Sequence, residues 1–376
     1  MFGRHYQPLN VIDISEKNLI HNYKYLSSLS ELKIAPVLKS NAYGHGLVGV
    51  AKVLEKLDPP FICVDSLYEG YELLKGGIRT KILIMGFIDP ISLKTKRLPF
   101  SFAVYNNVQI DSLNKFQPKA NIHIFVDTGM HREGILMDEL HAFVSYIKNK
   151  TTLNIEGLMS HFGESESKNN PVTKTQLKNF KKCMEVINPK FVHIANSGGV
   201  LNRYGIGNVG RCGISLFGIS PIKKDKNLKP VLNLKTHIAQ IKEVEKGESV
   251  GYSFTYKAKK DMRIAILPIG YYDGVDRRLS NKGYVLVKKT PCQIIGRISM
   301  NIMEIDVSNL KNIKVGDEVV IYSNNSSDIN SIENSAKICN TIPYELLVKL
   351  SESTKRVVVG REAPIGAPLL LKGLGY

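Results

Sequence analysis

Lys39 ends an apolar run in VLKSNAYGHG (residues 37–46) and is followed at once by small residues, Tyr43 and two glycines. A lysine at a strand end has an ordinary reading as a solvated ammonium, because lysine is among the residues least often buried. It has a second reading when apolar walls shield it. Desolvation then disfavours the charged form, and a neutral amine can attack an aldehyde and hold it as a Schiff base. Other chemistry-bearing residues stand at similar places further on: Asp127 closes NIHIFVD, His161 follows IEGLMS, and Asn196 and Ser197 follow FVHIA. Each alone is explained as a turn or strand-end residue, but together they mark one end of a set of strands.

Two other patterns invite chemistry and fail on context. GIGNVG (205–210) matches a dinucleotide-binding fingerprint, but it follows the loop-like NSGGVLNRY and precedes the strand-like RCGISLFG. The helix that must hold a pyrophosphate is missing. His123, His161 and His193 lie on successive strands with Asp127 and Glu164 nearby. They lack the close spacing of a zinc signature, so stacking or hydrogen-bonded histidines are the reading and no metal is expected.

The elements that must position these residues alternate. From residue 10 to about 220, β-branched runs are followed by segments of helical period: NVIDIS then EKNLIHNYKYLSSL, LKIAPVLKS then GLVGVAKVLEKL, FICVDS then LYEGYELLKGG. KILIMG, FSFAVYN, NIHIFVDTG, IEGLMSHF, FVHIANS and RCGISLFG continue the series. This is the pattern of parallel βα units. The candidates number one more than a (β/α)8 barrel needs, so one belongs to a second domain or is misread. In such barrels, site residues gather at the C-terminal ends of the strands. After about residue 225, period-two alternation with Gly-rich turns takes over (VLNLKTHIAQIKEVEKGESVGY, RIAILPIGY, KVGDEVVIYS), the signature of an antiparallel β domain. The expected architecture is an α/β barrel over 1–225 and a mainly β domain over 226–376.

The chain is long enough at 376 residues for two cores, and its 43% hydrophobic and 23% charged content is that of a globular protein. Its net charge of +17 is scattered; the densest runs, KKDK (223–226) and KAKK (257–260), are short and carry no aromatic interleaving. A nucleic-acid partner is therefore not expected, while anionic small substrates are favoured. Five separated cysteines without a C-x-x-C pair read as free thiols of a reducing compartment. With no cleavable leader pattern in MFGRHYQPLNVIDIS and no run of eighteen apolar residues, the expectation is a cytoplasmic protein without a membrane partner.

VLKSNAYGHG, VDTGMHREG, LMSHF, HIANSGG, RCGISLFG, VGYSFTY, LPIGYYDG, GRISMN and TIPYELL together resemble the pyridoxal-phosphate-dependent alanine racemases, in order and spacing, over roughly residues 10–350. The resemblance implies a fold-type III barrel and pyridoxal 5'-phosphate bound to Lys39. It implies phosphate contacts from Tyr43, which would face the cofactor from the start of a helix, and from Ser197, the Gly213–Ile214 backbone and Tyr344, with Asn196 supporting the loop. Arg211 would meet the pyridine nitrogen, discouraging ring protonation and favouring racemisation over transamination. His161 would stack on the ring and His193 would bond to Arg211. Inversion by two bases needs one on each face; the resemblance assigns Lys39 and Tyr252. Tyr252, with Tyr271 and Met300 at the entrance, would come from the partner subunit of a homodimer. Arg132 would hold the substrate carboxylate. The activity implied is interconversion of L- and D-alanine, feeding cell-wall peptidoglycan.

Three positions depart from the family's pattern. Phe125 stands where a lysine, often carbamylated, steadies the arginine; it can stack on a guanidinium but supplies no countercharge. Asn301 replaces an aspartate in GRISMN, and RVVVGRE (356–362) lacks the usual proline-containing ending. Alternatives within the fold are a broad-specificity racemase and a basic-amino-acid decarboxylase, although a decarboxylase would set an acid, not Arg211, opposite the ring nitrogen. A non-catalytic carrier of the cofactor would be a lone barrel without the residues after 225.

Overall fold

The computed structural model describes residues 8–223 and 225–360. Residues 1–7, Lys224 of KKDK, and Arg361 and Glu362 of RVVVGRE lie outside them. The first strand, β1 (Val11–Ser15), is the surplus candidate of the barrel series. It alternates half-buried and buried positions and runs antiparallel to a strand of the second domain, Leu232–His237, with Ile14 opposite Leu232. The later strands of the series are different in kind: β5 (Phe100–Val104) is buried at every position, as expected of a parallel strand covered on both faces.

Eight parallel strands close the barrel. β2 (Lys33–Pro36), β3 (Ile62–Val64), β4 (Ile82–Ile84), β5 and β6 (Asn121–Asp127) follow one another round the ring. The two-residue β7 (Ile135–Leu136) adds only to the end of β6. The ring continues through β8 (Asn154–Met159), β9 (Phe191–His193) and β10 (Val209–Cys212). It closes where β10 pairs with β2, Arg211 opposite Ala35, where the Leu38 amide donates to the Cys63 carbonyl at 2.8 Å, and where the Asn208 amide donates to Val192 at 2.9 Å. Within GIGNVG, Gly207 serves this closure. Gly207 takes φ +78°, and a Cβ there would strike the Val192 carbonyl. The preceding NSGGVLNRY contains a short helix, Ser197–Leu201, where the sequence suggested only a loop.

Outside the barrel, helices start at side-chain caps. Ser66 accepts from the Glu69 amide and Asn106 from the Gln109 amide, each satisfying a backbone donor that the first turn leaves without a partner. The second domain is built on a nine-stranded, largely antiparallel sheet. β11 (Leu232–His237) adjoins β1, and the strand Lys355–Val359 lies parallel to β1 on its other side. The start and the end of the described chain are thus neighbours in one sheet. The helix Pro343–Val348 precedes that last strand and reaches back over the barrel mouth.

Candidate active site

Lys39 leaves the end of β2 and enters an unusual turn. Ser40, Asn41, Ala42 and Tyr43 all have φ between 53° and 56°, the left-handed conformation that costs an L-residue about 1–2 kcal/mol each. The surroundings compensate. The Asn41 amide donates to Glu69 Oε1 (3.2 Å), the Leu47 amide donates to Asn41 Oδ1 (2.8 Å), and buried His45 donates from Nδ1 to the Tyr43 carbonyl (2.9 Å) while stacking on Phe217 at 3.9 Å. Burial pushes the His45 imidazole down to about 3, so it stays neutral as that donor. Tyr43 therefore ends a left-handed turn and does not start a helix; the helix Leu47–Glu55 begins only after Gly46. This turn sends Lys39 and Tyr43 toward the same space.

That space is a cavity of about 200 Å³ at the C-terminal mouth of the barrel, lined by Lys39, Tyr43, His161, Asn196, Ser197, Arg211, Gly213, Ile214 and Tyr344, with Phe125 and Arg132 at one side. The expectation that apolar walls shield Lys39 is corrected: its side chain is 42% exposed and its Nζ lies 3.4 Å from Asp65 Oδ1. The Tyr43 hydroxyl rests against Gly213, where a Cβ would collide with it, and its ring lies 6.0 Å from that of Tyr344. Burial raises the Tyr43 phenol and brings that of Tyr344 to about 12, so both present protonated hydroxyls at neutral pH. Ser197 Oγ accepts from the Gly213 amide at 3.1 Å. Asn196 is the cap of the short helix, accepting from the Gly199 amide (2.9 Å) and from Ser165 Oγ (2.7 Å).

Arg211 is buried and bound on every side. Its guanidinium donates to His193 Nδ1 (2.5 Å), the His193 carbonyl (2.9 Å), the Ser160 carbonyl (2.6 Å) and His161 Nδ1 (3.1 Å). Burial lowers it to about 10, which leaves it protonated at neutral pH. Burial and the charges of Arg211, Arg132 and Lys39 push His161 down to about 3. The cavity thus combines a primary amine, hydroxyls and a backbone amide around a glycine-shaped recess, and a fixed cation deep at one side.

Residues 14–221 match the alanine racemase N-terminal domain and residues 231–358 the alanine racemase C-terminal domain. The chain belongs to the alanine racemase family. It is 36% identical over 360 residues to the alanine racemase of Fusobacterium nucleatum, covering 93% of this chain and 99% of that one, and 34% identical to alanine racemase 1 of Clostridium acetobutylicum (95% and 96%). Among solved structures, an alanine racemase of Clostridium difficile 630 superposes with a TM-score of 0.88 at 29% identity (94% and 97%). A Bacillus anthracis alanine racemase with bound L-Ala-P superposes with a TM-score of 0.87 at 28% identity (95% and 97%). The match to both alanine racemase domains disfavours the lone-barrel carrier and the decarboxylase.

Set against the alanine racemase pattern, three expected residues lie outside the cavity. Tyr252, Met300 and Tyr271 are 68%, 55% and 43% exposed on the β domain. They form one surface. The Tyr271 amide donates to Ser299 (3.0 Å) and the Tyr272 amide to Met300 (3.0 Å), while Gly251 and Gly296 approach so closely that a Cβ on either would crowd the other loop. Asn301 is exposed on the same loop.

Several functional neighbours escape sequence reasoning. Asp65, beside Lys39, and Glu69, which clamps the amides of Asn41 and Asp65 (3.2 and 2.9 Å), are met only through the fold. Phe125 packs with Ala103, Met159 and Tyr105, and the cation–π contacts among the described residues do not include it with Arg132. The countercharge to Arg132 is Glu133, which accepts from its Nε. The signal was in VDTGMHREG: the added acid follows the arginine directly. Substituting Glu133→Gln is expected to raise the alanine KM about fivefold, the upper end for a half-exposed ion pair, with a smaller change in kcat. Activity is expected to be indifferent to bicarbonate, since Phe125 cannot form a carbamate. Steady-state kinetics with and without bicarbonate check both; an unchanged KM in Glu133→Gln removes Glu133 from the role.

Proposed function

We propose that the protein is an alanine racemase that uses pyridoxal 5'-phosphate on Lys39, works as a homodimer, and supplies D-alanine for the cell wall from the cytoplasm. The observation that carries this reading is the single cavity that gathers Lys39, the Tyr43–Ser197–Gly213 recess, Tyr344 and Arg211. The recess suits a phosphate: Tyr43 and Tyr344 bring protonated hydroxyls, Ser197 a third, and Gly213 leaves room where any side chain would strike Tyr43. No helix of the described residues is long and apolar enough to cross a membrane.

When bound, the cofactor supplies an aldehyde for amine capture and a ring that withdraws electron density from the α-carbon. The chain's residues supply the rest. Arg211, held protonated, disfavours a proton on the ring nitrogen, and so favours return of the proton to the α-carbon. His161, kept neutral, adds no competing charge beside it. The Lys39 amine moves the α-proton on one face. Among the described residues, Tyr344 is the β-domain residue within the cavity of the same chain, so the opposite face is left for Tyr252 of a second subunit. An exposed apolar surface of Tyr252, Phe254, Tyr271, Tyr272, Met300 and Ile302 is of the kind that marks a subunit interface. Arg132 holds the substrate carboxylate. In this reading residues 1–225, apart from β1, carry the cofactor, and 226–376 add Tyr344 to the same site and complete the partner's site with Tyr252.

Borohydride reduction of the holoenzyme followed by peptide mapping is expected to place the pyridoxyl group on Lys39, and chiral analysis to find D-alanine formed from L-alanine. Label on another lysine, or no racemisation, overturns the reading.

A further inference from the structure

Arg211 is the upper end of a buried chain that runs down the barrel axis. His193 Nδ1 faces the guanidinium at 2.5 Å, His193 Nε2 faces His123 Nδ1 at 2.8 Å, and His123 Nε2 lies 3.6 Å from Glu156 Oε2. Both histidines are almost wholly buried; His123 packs against the rings of Phe61 and Phe191, and His193 against that of Phe61. Gly157 leaves the space for the His123 ring, since a Cβ there would collide with its Nδ1. At the lower end Glu156 also accepts from Lys81 Nζ (2.5 Å) and Ser101 Oγ (2.8 Å). Burial lowers both imidazoles. Burial alone would raise the Glu156 carboxyl, but the neighbouring His123 ring and the bonds from Lys81 and Ser101 outweigh it and bring it to about 2.

The proton arrangement of such a chain has a direction. A guanidinium is an obligate donor and an ionised carboxylate an obligate acceptor. Arg211 therefore donates to His193 Nδ1, His193 carries its proton on Nε2 and donates to His123 Nδ1, and His123 carries its proton on Nε2 toward Glu156. The reversed arrangement would set a His193 Nδ1 proton against the Arg211 donor in a dry interior. No carboxylate pairs with Arg211 directly among the ion pairs of the described residues, and Glu156 is the acid at which its chain of partners ends.

We propose that His123 and Glu156 are positioning residues: an acceptor-only carboxylate at the base of the barrel fixes the tautomers of two buried histidines and thereby holds Arg211 in place as a donor. This rests on the reading that Arg211 faces the cofactor ring, but the tautomers themselves do not depend on cofactor.

Glu156→Gln is the diagnostic exchange. Lys81 can only donate, so the new amide turns its oxygen to Lys81 and its NH2 toward His123, and this reverses the chain. In full-length protein with 15N-labelled histidines, assigned through His193→Gln, wild type is expected to show His193 and His123 as Nε2–H tautomers with or without cofactor. Glu156→Gln is expected to move both to Nδ1–H. In the loaded enzyme, pyruvate and aminated cofactor, formed in equal amounts from L-alanine, should rise about tenfold per racemisation event, the scale set by one buried donor left unpaired. Adding Lys81→Met frees the amide to turn its oxygen to His123, and both readouts should return toward wild type, a rescue that a merely structural defect would not show. If Glu156→Gln does not fold, His123→Phe, an apolar ring beside Phe61 and Phe191, should raise the same side reaction. Wild-type tautomers in Glu156→Gln, an unchanged product ratio in either variant, or no rescue by Lys81→Met overturns the proposal. Absence of cofactor absorbance with the tautomers as expected would instead count against the cofactor reading alone.

Discussion

Homodimers of Lys39→Ala and of Tyr252→Phe will each lose racemisation by about a thousandfold or more, the scale of a missing general base, and a refolded mixture of the two will recover about a quarter of wild-type activity. The quarter comes from geometry. In a mixed dimer one site receives both damaged residues, and the other combines an intact Lys39 from one chain with an intact Tyr252 from its partner. Random reassortment makes about half of the dimers mixed, each with one good site of two. The structural basis is the separation within one chain: Lys39 lines the barrel cavity, while Tyr252 stands 68% exposed on the β domain in a loop held by Arg297 Nη1 donating to Ser253 Oγ at 3.3 Å. Subunits must exchange by co-expression or joint unfolding and refolding. Verified mixed dimers as inactive as their parents would show that Tyr252 does not act across the interface.

What the sequence made legible follows from how each feature is encoded. Lys39, His161, Asn196 and Ser197 sit at or beside strand ends, and a parallel barrel brings all its strand ends to one mouth, so order along the chain was enough to group them, whereas Arg211 and Gly213 came from the resemblance. Tyr344 was reached only by resemblance, because no local pattern tells that a helix 300 residues downstream covers that mouth. The misassignment of NVIDIS to the barrel had a readable cause. In VIDIS only Ile12 and Ile14 are fully buried, an every-other-residue pattern that belongs to a one-sided sheet, whereas barrel strands such as FSFAV are buried throughout.

Backbone conformation was the least legible part. KSNAY contains no glycine, and nothing in its composition announces four left-handed residues in succession; that turn exists because His45 just after it, and Glu69, Phe217 and the Arg356 side chain from three other places in the chain, hold it. Glu133 and Glu156 were missed for a related reason. An acid is unremarkable in sequence, and only its placement beside Arg132 or below two histidines gives it a task.

Gly44→Ala, just after that turn, will destabilise the protein by about 3 kcal/mol or more, placing it among the costliest single exchanges. Gly44 has φ +78°, and its Cβ would lie inside the van der Waals shell of the Leu347 carbonyl, a backbone atom that cannot step aside alone. Leu347 belongs to the helix that carries Tyr344, and Arg356 donates to the Gly44 carbonyl from Nε and Nη2 at 3.1 and 3.0 Å. The barrel turn, the cavity-covering helix and the last strand are therefore joined at one glycine. Gly77→Ala separates the two contributions: Gly77 has nearly the same φ, +81°, with nothing within 4 Å of its Cβ, so it bears only the conformational cost of about 1 kcal/mol. Urea unfolding of both variants measures the difference, and cofactor titration of Gly44→Ala should show weakened binding as Tyr344 is pushed outward. Equal losses for the two glycines would mean that left-handed backbone alone accounts for Gly44, and that the helix does not press on the turn that presents Lys39.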